Sequence, residues 1–244
     1  MFFEELKTIS NIAKEEGVTL RLIGSLAFRI RSDTAKKMAK SRPLTDLDFV
    51  SYKKDRNKIE ALFARLGYTP DQTFNMLHGR ERLVFFGRNG ELKVDVWLEE
   101  FKMAHSFNFK DRLKFGDWTL PLADLLMTKL QIVELNEKDV RDVICLLLDH
   151  DLSENDEDLD RINLKRLTGE CRTNWGTYKT FTMNLEKIKG LCPRYLHDEK
   201  LPQIVADRIE RILNTIEAAP KTLAWNIRGK VGESRRWYET PDVR

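Results

Sequence analysis

The chain has 244 residues, of which 41% are hydrophobic and 33% charged, enough apolar material for a core and too much for a disordered chain. Its densest apolar run, residues 142–148, is far too short to cross a bilayer, and acids stand in the first ten residues where a signal peptide carries bases, so a cytoplasmic, non-membrane protein is expected. The net charge of +3 is uneven, since residues 161–244 hold 17 Lys and Arg against 10 Asp and Glu while residues 1–160 hold 25 against 29, and a basic last third suits an anionic partner such as nucleic acid.

Residues 2–16 read as an amphipathic helix with Phe3, Leu6, Ile9, Ile12 and Ala13 on one face. Gly17 ends it, and residues 18–23 read as a strand running into Gly24-Ser25 and a short apolar helix, 26–30. The polar stretch 31–42 carries Lys36, Lys37, Lys40 and Arg42 and reads as loop or loose helix, closed by Pro43. Residues 45–50 form a strand and 54–66 a helix ended by Gly67. Two strands, 82–86 and 91–98, flank Asn89-Gly90, a strong hairpin signal. Pro121 opens a helix over 121–135, and a second helix spans 138–148. The acidic segment 149–160 reads as a boundary dividing the chain into 1–150 and 151–244. The second part is helical over 158–170, 175–189 and 202–217, with an aromatic and basic tail. Cys145, Cys171 and Cys192 fit neither a disulfide framework nor a zinc motif, and His78, His105, His150 and His197 are scattered.

Asp46 and Asp48 lie two apart on a strand, so both carboxylates project from one face, with Leu47 and Phe49 on the other. Paired anions call for a neutralising partner, and a hard divalent cation, Mg²⁺ or Mn²⁺, suits oxygen donors. Asp95 sits within an apolar strand, on the face opposite Val94, Val96 and Leu98, where a buried carboxylate needs a cation or an open face. Three carboxylates on neighbouring strands suit metal-assisted phosphoryl transfer. Gly24-Ser25, at a strand-to-helix turn, offers backbone N–H groups and a hydroxyl to a phosphate. Arg80 and Arg82 read as a solvated strand end, His105 as a packed or surface residue, and Lys138, Asp139 and Asp142 as electrostatics at a helix start. Trp175, Trp225 and Trp237 read as packing, although Trp225 to Arg228 and Arg235 to Tyr238 interleave cations with aromatics as single-stranded nucleic acid binders do.

In this order and context, Gly24-Ser25, Thr45-Asp46-Leu47-Asp48-Phe49 and Val94-Asp95-Val96 resemble the motif set of the polymerase-β-like nucleotidyltransferase superfamily. Asp124, Lys129, Lys138, Asp139 and Asp142, on the two helices that follow, are similar to the pattern of minimal nucleotidyltransferases and AbiEii-like toxin relatives. The resemblance covers roughly residues 5–150. It implies an α/β (α+β) fold, a mixed sheet with flanking helices, followed by an α-helical C-terminal domain. It further implies an enzyme moving a nucleoside monophosphate from an NTP to an acceptor. By position, Asp46 and Asp48 would hold the metal ions and Asp95 would bind the catalytic one. Gly24 and Ser25 would hold the triphosphate, and Lys129 would neutralise it. The insert between Gly-Ser and Asp-x-Asp adds cations for a triphosphate or an RNA backbone. RNA, for example a tRNA end, is the favoured acceptor. A small hydroxylated molecule, a protein side chain, and a non-catalytic nucleotide-binding role beside a cognate antitoxin are the alternatives.

Overall fold

A computed structural model describes residues 2–38, 45–87, 90, 92–196, 198 and 200–240. Lys40, Arg42, Pro43, Asn89 and His197 lie outside the described residues. By its internal contacts the chain divides into two compact units, Met1–Ala27 with Lys40–Phe101 and Phe107–Leu120, and Phe28–Ala39 with Lys102–Ser106 and Pro121–Arg244.

The first unit is built on a five-stranded mixed sheet of β1 (Arg21–Ile23), β2 (Asp46–Ser51), β3 (Thr69–Pro70), β4 (Arg82–Phe86) and β5 (Lys93–Leu98), in the order β1-β2-β5-β4-β3. Only β2 and β5 run parallel; the other neighbours are antiparallel. Period-2 alternation sends Leu47, Phe49, Leu83, Phe85, Val94 and Val96, all buried, to one face. Phe63 of α4 (Arg56–Arg65) stacks on Phe85 at 4.5 Å there, and Tyr68 meets Phe63 edge-on. The N-terminal helix α1 (Phe2–Glu15) buries Leu6, Ile9 and Ala13, whereas Phe3, expected on the same face, is 48% exposed. A short helix, α5 (Gln72–His78), is capped by Asp71, whose side chain accepts from Phe74 N. The strand expected over 18–23 is only three residues long, because β1 pairs with Asp48–Val50 and then turns up at Gly24 into α2 (Gly24–Arg31).

Residues 33–38, within the stretch expected to be loop or loose helix, form a regular helix, α3 (Asp33–Met38). Ser32 Oγ accepts from Ala35 N and caps it. The second unit is otherwise mostly helical. Helix α6 (Leu122–Leu130) begins after Pro121, and α7 (Glu137–Asp149) is capped by Asn136. Then come α8 (Leu164–Thr173), α9 (Trp175–Tyr195), α10 (Leu201–Ala218) and α11 (Leu223–Val231), the last within what was expected to be tail. Val205, Ile209, Ile212 and Ile216 recur at helical spacing on α10 and are fully buried or nearly so. Cys145, Cys171 and Cys192 are all free and buried. Among the described residues no helix is long and apolar enough to cross a membrane.

Candidate functional site

The central parallel pair sets the site. Register places Asp48 opposite Asp95 and Asp46 opposite Lys93. Partners in register share a face on strands about 4.8 Å apart. Asp46, Asp48, Lys93, Asp95 and Trp97 therefore occupy the sheet face opposite the Leu47 and Phe49 core. Along this face Asp46 is exposed, Asp48 half-buried and Asp95 only 2% exposed.

Gly24 completes this group. Ile23, the last residue of β1, is the antiparallel partner of Asp48, so the chain leaves the sheet beside that carboxylate. Gly24 has φ +68°, and a Cβ placed there would stand 2.3 Å from Asp48 Oδ2. Both the left-handed backbone and the missing side chain are needed for this approach. Ser25 follows in the first turn of α2, where helix N–H groups point outward.

Asp95 is held by cations of its own sheet. Arg82 Nη2 and Nε lie 2.6 and 2.8 Å from its Oδ1, and Lys93 Nζ is 3.3 Å from Oδ2. The Arg82 guanidinium lies 4.5 Å from the centre of the Trp97 ring and 5.5 Å from that of Phe74, so it has an aromatic seat as well as an anionic partner. Arg82 is thus no solvated strand end. Its signal was present in the sequence: pairing across Asn89-Gly90 puts Val84 opposite Asp95 and Arg82 opposite Trp97, on the carboxylate's face. Arg80, by contrast, is exposed.

The structure brings together Gly24, Asp46, Asp48 and Asp95, with Ser25 next in the chain. Lys129 belongs to the second unit. There it is nine-tenths buried, hydrogen-bonded to Asp139 Oδ1 at 2.7 Å and ion-paired with Asp142 Oδ2 at 3.1 Å, with the Phe28 ring 5.5 Å away. Burial alone would lower its pKa, but Asp142 and Asp139 outweigh that and hold the ammonium above its ordinary value. Asp139 and Asp142 are therefore more than helix-start charges.

Lys36 and Lys37 are exposed on α3. His105 is a packed residue: its backbone N–H donates to Gln131 Oε1 and its ring Nε2 meets Thr180 Oγ1 at 2.8 Å. Burial pushes its pKa down to about 4, against an opposing pull from Glu239. The C-terminal aromatics are engaged internally. Trp237 meets Trp175 edge-on and donates to Thr180 Oγ1, and Trp225 lies edge-on to Tyr178.

The donor chemistry fits a hard cation, since Asp46 and Asp48 place carboxylates on one sheet face, at its exposed and half-buried end, beside a glycine that leaves room. Asp95 has both oxygens turned to Arg82 and Lys93. Among the described residues no three carboxylate, histidine or cysteine side chains are gathered closely enough to hold a metal ion.

No family model matches the chain, and no curated protein does. A solved structure, the antibiotic-resistance factor ANT(2'')-Ia in solution, is 11% identical, with 89% of this chain and 97% of that one covered at a TM-score of 0.39.

Proposed function

We propose that this chain is a metal-dependent nucleotidyltransferase that moves a nucleoside monophosphate from an NTP to an acceptor, with RNA the favoured acceptor. The observation that carries this reading is the in-register Asp48–Asp95 pair, with Asp46 two residues away and the Gly24 backbone against Asp48. Asp46 and Asp48 would hold Mg²⁺ or Mn²⁺, which would neutralise the phosphates and orient them for in-line displacement; Asp95, paired with Arg82 and Lys93 in this structure, would join them on release from those cations. Gly24 and Ser25 present backbone N–H groups and a hydroxyl to the triphosphate at the start of α2. Asp95, once an oxygen is released from those cations, takes the proton as the acceptor hydroxyl attacks the α-phosphorus. An O–P bond forms there, the bond to the β-phosphate breaks, and pyrophosphate leaves. Lys129 stands outside this assignment, since two carboxylates already match its charge. RNA is favoured by the excess of Lys and Arg over residues 161–244.

The test incubates pure protein with each α-³²P-labelled NTP, Mg²⁺ or Mn²⁺ and total RNA, beside an Asp46→Ala/Asp48→Ala control. Labelled RNA in the wild type and none in the control is the expected result. Pyrophosphate release without labelled RNA would keep the enzyme and move the acceptor to a protein or small molecule. An absence of transfer with every nucleotide, by a chain that still binds NTP, would overturn the enzyme reading.

A further inference from the structure

Asp48 and Asp95 face each other across neighbouring strands, and Asp46 lies on the same face. Anions so placed repel one another unless cations neutralise them. In this structure the chain supplies its own cations. Two nitrogens of Arg82 lie within 2.8 Å of Asp95 Oδ1, and Lys93 Nζ is 3.3 Å from Oδ2. The Asp95 side chain is only 3% exposed, against 22% for Arg82 and 32% for Lys93. Of the two cations Arg82 is therefore the closer and the better shielded, and an ion pair of this kind is strong because water competes with it poorly.

Resting on the nucleotidyltransferase reading, we infer that Arg82 is a resident counter-ion of Asp95 that competes with the divalent cation. It neutralises the third carboxylate while the metal is absent, and it must leave Oδ1 before that oxygen can become a ligand. The competition has two physical parts. An oxygen that accepts from Arg82 Nε and stands 2.6 Å from Nη2 has its lone pairs turned toward the guanidinium, so ligation and pairing exclude each other on that atom. A guanidinium left beside a divalent cation also repels it. Trp97 and Phe74 give the displaced guanidinium somewhere to rest, because its planar face stacks where an ammonium would not. Arg82 is on this account a positioning residue, acting on the metal through Asp95.

Mn²⁺ affinity, measured by calorimetry and by the spectrum of free Mn²⁺, separates this role from a purely structural one. Wild type, Arg82→Gln, Arg82→Gln/Asp95→Asn and Asp46→Asn/Asp48→Asn are compared without nucleotide. Arg82→Gln is expected to bind Mn²⁺ about tenfold tighter, and adding Asp95→Asn is expected to remove the gain. A residue that merely supported the fold would leave affinity unchanged or weaken it, and either result overturns the inference. Arg82→Gln leaves a buried carboxylate unpaired and can cost stability, so a second readout uses the wild-type chain. Trp97 emission, isolated by subtracting a Trp97→Phe variant, is followed through a Mg²⁺ titration. Emission that changes over the same Mg²⁺ range that raises the melting temperature supports release of Arg82, and unchanged emission over that range overturns it. If wild type binds Mn²⁺, Asp46→Asn/Asp48→Asn loses it and Arg82→Gln binds as wild type does, the enzyme reading stands and this inference fails. An absence of Mn²⁺ binding in both wild type and Arg82→Gln overturns the two together.

Discussion

A methyl group at Gly24 would stand 2.3 Å from Asp48 Oδ2, on a residue whose φ is +68°. The left-handed backbone alone costs an L side chain about 1–2 kcal/mol, and the clash must also turn Asp48 or shift the start of α2. Gly24→Ala is expected to lower the unfolding free energy read from urea melts by at least that amount and to cut pyrophosphate release more than tenfold; wild-type activity in this variant would remove Gly24 from the site. His105 gives a pH prediction at the same scale. Its folded pKa of about 4 lies below the ordinary histidine value, so between pH 6.5 and 4 the unfolded chain binds the proton and the folded chain does not. Stability is fully present above that window and lost as pH falls through it, by roughly 3 kcal/mol for this one group. Comparing urea midpoints of wild type and His105→Gln across the window tests it, and the variant should show the flatter profile. Among these residues, Asp46 and Asp48 were legible because strand period alone fixes their shared face. The ion pair of Asp95 needed a further step, because Arg82 becomes its neighbour only when β4 and β5 are put in cross-strand register.

At the scale of elements, the long periodic helices could be read directly, whereas α3, α5 and α11 could not. Each is short, and α3 is dominated by surface charge, so what defines it is tertiary. Ser32 caps it, and the Asp149 carboxylate, at the end of α7, accepts hydrogen bonds from Ser32 Oγ, Thr34 N and Thr34 Oγ1. Those bonds outweigh the burial that would raise the pKa of Asp149 and leave it lowered. Lys129 ties α6 to α7 in a comparable way, through Asp139 and Asp142. Removing one partner of a buried ion pair strands the others in a low-dielectric site at a cost of about 3–5 kcal/mol. Lys129→Ala is expected to lose stability of that size in urea melts. A variant as stable as wild type would mean that the lysine answers to a ligand and not to α7.

For the molecule as a whole, the charge division is the feature that composition made plain, while the use made of the aromatics in the last third was not. Trp175, Trp225 and Trp237 pack against one another or against Tyr178 and Thr180, so RNA affinity is expected to rest on Lys and Arg with little contribution from stacking on these rings. Binding of total RNA, measured by filter retention, should then fall log-linearly with salt, with a slope of about −0.7 for each phosphate neutralised. Salt-insensitive transfer would favour a small hydroxylated acceptor. The cysteines offer a different kind of handle. All are free, buried and within the second unit, and burial pushes the Cys145 and Cys192 thiols up to about 12 and about 11 and raises Cys171 as well. A thiol so protonated and enclosed reacts with a disulfide reagent only when its surroundings open. The native chain thus carries a silent clock for the opening of one unit, read as a labelling rate, and a single cysteine introduced on the surface of the other would accept a probe without competition.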